Sequence, residues 1–330
     1  MSAWLRDAIA TMPSGDDDAA ALVAERAAQV LRPPGALARL DEVAVWVARW
    51  QRTAAPAVSR PACLVFAADH GVARDAGVSA YPTEVTGAML AAVRAERATI
   101  NALARVAGAT VDVIDVGVSN PTADIRSEAA LDEARFDAIV AVARAAVERL
   151  DADLLVLGEL GIGNTTAAAA IAAAICGGDV ADWVGRGAGV DDDGLERKRA
   201  AVEAAVTRIA GTTDPIEILR EVGGAELVAM SAAIVAARHR RLPIVLDGYL
   251  AGTAALPLHT ARPDALDHCI AGHQSAEPGH RLLLERFGLD PLLDLGMRLG
   301  EGSGAMAAVP LVAMACAGVV EVPTFGEWFG

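Results

Sequence analysis

The sequence predicts an α/β fold: a parallel, Rossmann-like sheet with helices on both faces. Three observations predict it. Short apolar runs bounded by Gly, Asp or Pro recur from Ala62 onward. Long alanine-rich segments of helical character separate them, and such alternation gives parallel strands joined by crossover helices. Polar and glycine-rich clusters follow directly on the runs, which is where parallel α/β sheets bind their ligands.

Up to about Gln51 the chain reads as helices. Asp16–Asp18 begin one that continues over Ala19–Val30, kept soluble by Glu25 and Arg26. Arg32-Pro33-Pro34-Gly35 ends it. Leu37, Leu40, Val43 and Val47 then recur at three- and four-residue spacing, the stripe of a second helix. Ala54–Pro61 is a linker. Strands are expected over Ala62–Ala67, Thr110–Val116, Leu154–Gly158, Ile244–Asp247 and Asp267–Ala271, and helices over Glu84–Ala107, Phe136–Leu150 and Asp193–Ala210. The stretch Gly302–Val320 carries no charge, but it is rich in Ala and Gly and has Pro310 in its middle. A bilayer span takes roughly 20 strongly apolar residues, so this is a buried helix.

Composition narrows the function classes. The chain has 330 residues, 54% of them apolar, and a net charge of -15. That apolar share excludes a disordered chain. The acidic balance argues against nucleic-acid binding, which needs a basic face. A small anion remains possible, since it needs only a pocket of backbone N–H groups. Lys198 is the only lysine. Cys63, Cys176, Cys269 and Cys316 form no CxxC pair and sit in apolar surroundings, so buried reduced thiols are expected. No basic-then-apolar leader opens the chain, and a cytoplasmic enzyme is the expectation.

Six clusters follow the runs. In Asp69-His70-Gly71, the bland reading is that Asp69 caps a turn and His70 bonds locally. No second His or Cys lies at ligand spacing, so no metal site is expected. Gly158-Glu159-Leu160-Gly161-Ile162-Gly163-Asn164-Thr165-Thr166 is the most informative stretch. Its glycines let backbone approach a ligand, and the helix after them offers free N–H groups at a positive dipole end, as a phosphate requires. It is neither a P-loop nor a dinucleotide fingerprint. Glu159 lies where a strand-end carboxylate could face a sugar or a base. Gly185-Arg186-Gly187-Ala188-Gly189 precedes a helix whose Lys198 either reaches solvent or neutralises a phosphate. Leu246-Asp247-Gly248 reads as a plain turn. His273 and His280 flank Glu277, but Pro278-Gly279 excludes a helical zinc motif. Glu301 stands between Gly300 and Gly302 at a helix start. Those glycines cost backbone entropy and make sense if a ligand packs there.

Taken together, these clusters resemble the nicotinate-nucleotide–dimethylbenzimidazole phosphoribosyltransferases of cobalamin biosynthesis. The matching segments are Arg32–Leu40, Ala68–Val72, Gly77–Pro82 with Glu84–Thr86, Gly158–Thr166, Gly272–His280 and Met297–Ala305, in family order over nearly the whole chain. The resemblance implies transfer of 5-phosphoribosyl from nicotinate mononucleotide to 5,6-dimethylbenzimidazole or a related base, without a cofactor. It implies a homodimer, with no nucleic-acid or membrane partner. It also implies a division of the chain: a small helical domain over residues 1–55, an α/β domain over 56–301, and a buried C-terminal helix and tail over 302–330 that pack on the first. Carried over, Glu301 is the general base and Glu159 lies near the ribosyl centre. Gly161, Ile162, Gly163, Asn164, Thr165 and Thr166 hold the phosphate with Lys198. Ser79, Tyr81 and Met89 line the acceptor pocket.

The chain departs from the family pattern in three places. Ala88 stands where a glutamine is usual, Ser119–Leu131 lacks the GTxN residues, and the tail Val322–Gly330 replaces MATFxEAG. The glutamates and the phosphate loop are intact. A diverged, non-catalytic nucleotide- or base-binding paralogue is the alternative reading. A dinucleotide oxidoreductase would need a GxGxxG after the first strand, which is absent.

Overall fold

A computed structural model describes residues 3–330. One sheet of five parallel strands carries the fold: β1 (Pro61–Ala68), β2 (Thr110–Gly117), β3 (Leu154–Leu160), β4 (Ile244–Leu246) and β5 (Cys269–Ala271), in the order β2-β1-β3-β4-β5. All five expected strands are present. β5 starts two residues later than its apolar run suggests, because Asp267 closes the 3-10 turn Pro263–Leu266. The chain runs from β1 outward to β2, then returns to place β3 on the other side of β1. That reversal opens a crevice beyond the carboxyl ends of β1 and β3.

Side chains alternate across a strand, so each face of the sheet gathers its own core. Leu64, Phe66, Leu155 and Leu157 face one core, with helices Glu133–Arg149, Asn164–Cys176, Ala225–Arg240 and Tyr249–Ala261. Cys63, Val65, Leu154 and Val156 face the other, with helices Asp17–Gln29, Ala38–Gln51, Thr99–Ala107 and Ser303–Val320. Alanine dominates the helix Asn164–Cys176, and such small side chains let it lie close on the sheet. Asp16 caps the helix Asp17–Gln29 by accepting the Ala19 N–H at 2.9 Å, as the acidic triplet suggested.

Two expectations need correction. The helix expected over Glu84–Ala107 is two helices, Glu84–Arg94 and Thr99–Ala107. Glu96 takes a left-handed φ of 58° at the break, although no Gly or Pro marks it in the sequence. Cys176 is only partly buried, whereas Cys63, Cys269 and Cys316 are buried; all four are free thiols.

The helix Ser303–Val320 is long and apolar enough to cross a membrane by length and composition. Here it lies against Ala38–Gln51, Thr99–Ala107 and the sheet, with Met306, Val309, Val312, Cys316 and Val319 buried. This is the burial of a core helix.

Candidate active site

The carboxyl ends of β3, β4 and β5 converge on a cavity of about 490 Å³. Glu159, Asp247, Glu277 and Glu301 all line it, and Arg298 stands at its edge. Asp247 follows β4, and it accepts the Ala305 N–H at 2.9 Å at the start of Ser303–Val320. A strand ending in Asp-Gly reads as a plain turn; the structure makes Asp247 a cavity wall instead. His273, with Nε2 3.4 Å from Asp247, and Ser275 line the same wall after β5. Their only signal in the sequence is a polar cluster after a strand, and a zinc motif is not the chemistry it marks.

Glu301 occupies an unusual backbone. Gly300, Glu301 and Gly302 have φ of 86°, 61° and 82°, three left-handed residues in succession. Only glycine takes that conformation freely; for Glu301 it costs roughly 1–2 kcal/mol, the kind of strain held at functional sites. The turn lies against β3: a Cβ on Gly158 would clash with the Glu301 carbonyl, and one on Gly300 with the Glu159 carboxylate. The two glutamates are therefore close neighbours. Glu301 is 2% exposed, and its Oε2 accepts the Ile100 N–H at 3.2 Å. Burial raises its pKa, the Ile100 bond opposes the rise, and Asp247 adds to it.

Glu159 is held by the side-chain amide of Asn164, which donates to its Oε2. The turn Gly161-Ile162-Gly163 then leads into the helix Asn164–Cys176, with Gly163 left-handed at the N-cap, φ 92°. The Ile162 N–H already donates to the Thr86 hydroxyl at 3.1 Å, so it is not open to a ligand. Gly161, Asn164 and Thr165 line the cavity, whereas Gly163 and the fully buried Thr166 do not. Lys198 is buried behind the loop rather than at the wall. Its Nζ donates to Thr165 Oγ1 at 2.9 Å and to the Gly185 carbonyl at 2.7 Å. Burial lowers its pKa to about 8, against the pull of Glu277. Glu277 accepts the Gly187 N–H at 3.1 Å, tying the Gly185–Gly189 loop to the same edge.

His70 does not bond locally. Its Nε2 lies 2.7 Å from Glu226 Oε1 at the start of Ala225–Arg240, both side chains almost fully buried. That pair sits behind Gly161, where a Cβ would meet His70 Nε2 at 3.1 Å.

The other side of the cavity is mostly apolar, with Tyr81, Val85, Met89, Leu160 and Leu299. Tyr81 and Met89 both line the cavity. Ser79 is not at the wall; its hydroxyl accepts the Tyr81 N–H at 3.2 Å and shapes the turn instead. Ala88 is exposed on the outer side of its helix and does not line the cavity. Among the described residues, no three His, Cys, Asp or Glu side chains are grouped to hold a metal ion.

Burial pushes the Glu159 carboxyl up to about 8, with Glu226 and Asp247 adding to the rise and the Asn164 amide opposing it. An unfolded glutamate loses its proton near pH 4.5. Between that value and about 8 the folded chain keeps a proton that the unfolded chain has lost, so stability falls as pH rises through the window. Glu159→Gln cannot ionise and keeps an acceptor for Asn164. It should flatten the loss by about 1 kcal/mol or more between roughly pH 5 and 8. Urea unfolding of both proteins at the two ends of the window checks this; parallel pH slopes would contradict it.

Comparison with known proteins identifies the family. A family model described as a phosphoribosyltransferase matches residues 12–328. The nicotinate-nucleotide–dimethylbenzimidazole phosphoribosyltransferase of Mesorhizobium japonicum is 49% identical over 324 residues, covering 98% of this chain and 96% of that protein. The protein of the same name from Methylocella silvestris is 48% identical over 324 residues, covering 98% and 94%. The crystal structure of CobT from Thermus thermophilus superposes with a TM-score of 0.89 at 41% identity, covering 94% of this chain and 98% of that one. With the sheet order, the paired glutamates and the glycine turn all on one cavity, and with matches along nearly its whole length, the chain belongs to the nicotinate-nucleotide–dimethylbenzimidazole phosphoribosyltransferase family.

Proposed function

We propose that this chain transfers the 5-phosphoribosyl group of nicotinate mononucleotide to 5,6-dimethylbenzimidazole or a related base. The products are α-ribazole 5′-phosphate, for the lower ligand of cobalamin, and nicotinate. One observation carries the reading: a helix start backed by Lys198 and a pair of buried glutamates share a single cavity. The first is suited to a phosphate and the second to a cationic sugar centre and a proton.

The donor's phosphate meets the N–H groups at the start of Asn164–Cys176. Lys198 acts through the Thr165 hydroxyl. The glycosidic nitrogen is a pyridinium, so nicotinate leaves with the bonding pair and needs no acid. Positive charge grows on the anomeric carbon as it leaves. Glu159 lies on β3 between the phosphate turn and Glu301, where a carboxylate stabilises that charge. The donor's cationic ring favours the ionised form of Glu159 against the burial that opposes it. One acceptor nitrogen attacks the anomeric carbon, and the proton on its other nitrogen passes to Glu301.

The division into a small helical domain and an α/β domain belongs to the same proposal, as do a cytoplasmic homodimer and the absence of nucleic-acid or membrane partners. Packing of Asp17–Gln29, Ala38–Gln51 and Ser303–Val320 on one another supports the first. Light scattering on the purified protein tests the dimer. The test of the activity is nicotinate release from nicotinate mononucleotide, with and without added 5,6-dimethylbenzimidazole. Release that does not depend on the base would sink the reading.

The acceptor pocket should be permissive. Its wall offers mostly shape, through Val85, Met89, Leu160 and Leu299, with the Tyr81 and Thr86 hydroxyls as its few polar groups. Each methyl group contributes only about 1 kcal/mol. Benzimidazole and its dimethyl form differ by two such groups and should therefore react at rates within roughly thirtyfold of each other. Competition between them at limiting donor, with both products quantified, checks this. A ratio beyond roughly a hundredfold would mean that a specific contact restores discrimination.

A further inference from the structure

We propose that Asn101 is a positioning residue for the transfer: it fixes the break between Glu84–Arg94 and Thr99–Ala107 so that the Ile100 N–H holds the Glu301 carboxylate. The proposal rests on the reading of Glu301 as proton acceptor.

Thr99–Ala107 begins without a cap of its own. Ala98 is the N-cap residue, and it has no side-chain oxygen to accept the N–H groups of the first turn. Two other residues supply what Ala98 lacks. Asn101, 6% exposed, reaches back across the break: its Nδ2 donates to the Val93 carbonyl at 3.2 Å, and its Oδ1 accepts the Ala98 N–H at 3.0 Å. Glu301, far away in the chain, accepts the Ile100 N–H. Its carboxylate thus stands at the positive end of that helix, which favours the ionised form a base needs.

The arrangement links the acceptor wall to the base. Met89 lines the cavity from Glu84–Arg94, and that helix ends at the carbonyl Asn101 holds. Ile100 is fully buried in the same core as Ser303–Val320, the helix that starts two residues after Glu301. A change in the break therefore moves the N–H that orients the carboxylate. Asn101 touches neither the cavity nor Glu301 directly, so its effect must pass through Glu301.

A double-mutant cycle tests this. Asn101→Ala should lower kcat by about tenfold, as misplacement of a reacting group does, with the KM for nicotinate mononucleotide unchanged. In the Glu301→Gln background the same change should cost less than about twofold, because residues acting through one group are not additive. An equal factor in both backgrounds, or a loss confined to donor KM, would overturn the proposal. If Asn101→Ala does not accumulate as a folded protein, Ala98→Ser is measured instead. Its hydroxyl competes with Glu301 for the Ile100 N–H, as a cap serine does. It should lower kcat without lowering thermal stability, and only when Glu301 is present; undiminished kcat would overturn the proposal. The two readings fail differently. Wild-type turnover in Glu301→Gln removes Glu301 as the base, whereas a crippled Glu301→Gln with additive Asn101→Ala removes only Asn101.

Discussion

Glu301→Gln should lower turnover by about 10²-fold or more while leaving the binding of nicotinate mononucleotide within about twofold. The substitution is a narrow one in this structure. A glutamine oxygen can still accept the Ile100 N–H, and its backbone can keep the turn between Gly300 and Gly302. What it loses is the capacity to take the acceptor's proton. Burial already favours the neutral form of Glu301, and Asp247 nearby adds to that. The charge removed is therefore not one the empty site depends on for stability, and a buried neutral amide replaces it at little cost. Turnover at saturating base, with donor binding by calorimetry, checks the outcome. A Gln variant that keeps full turnover would show that the proton leaves by another route.

Much of this site was legible in the sequence because parallel sheets place ligands by topology. Leu154-Leu-Val-Leu ending in a glycine turn can be little other than a buried strand leading to a helix, and Glu159 and Gly161 lie where that geometry puts them. Glu301 was visible through its two glycines, whose left-handed conformation explains them. What was hidden depends on contacts between distant segments. His70 finds Glu226, 156 residues away, and no spacing rule reveals that. Asp247 was masked by the commonness of Asp-Gly turns. The break at Glu96 carries no Gly or Pro; Asn101 holds it by side-chain bonds to Ala98 and Val93, a local signal that an asparagine inside an apolar stretch does not announce. Ala88 shows the reverse error. The resemblance marks it as an acceptor contact, yet here it faces outward, and the pocket's apolar character rests on Tyr81, Val85 and Met89 instead.

Gly163→Val should weaken use of nicotinate mononucleotide by about 10²-fold in kcat/KM and have a much smaller effect on nicotinate riboside, which lacks the phosphate. Gly163 has φ 92°, a conformation in which a β-branched residue is strained. A Cβ there would also meet the Ala73 Cβ at 2.7 Å. The loop must shift, and with it the first turn of Asn164–Cys176. Ile162 has already given its N–H to Thr86, Asn164 donates to the Gly161 carbonyl and Thr166 to that of Gly163, which leaves the Thr165 N–H and hydroxyl as the first-turn groups at the cavity wall to meet the phosphate. Thr165 also accepts from Lys198, so displacing it moves the one lysine away from the anion. Hydrogen bonds to a charged group contribute about 1.5–3 kcal/mol each, so loss of one or two accounts for the expected factor. The riboside makes none of them, and on the wild-type enzyme it should itself be poorer than the mononucleotide by about 10²-fold. Steady-state kinetics with both donors on both proteins give the four values needed. If Gly163→Val cost the two donors the same factor, the loop would support the fold rather than the phosphate, and the anion would have to be sought at Arg298, whose guanidinium reaches the Gly187 carbonyl at 3.5 Å in the same cavity.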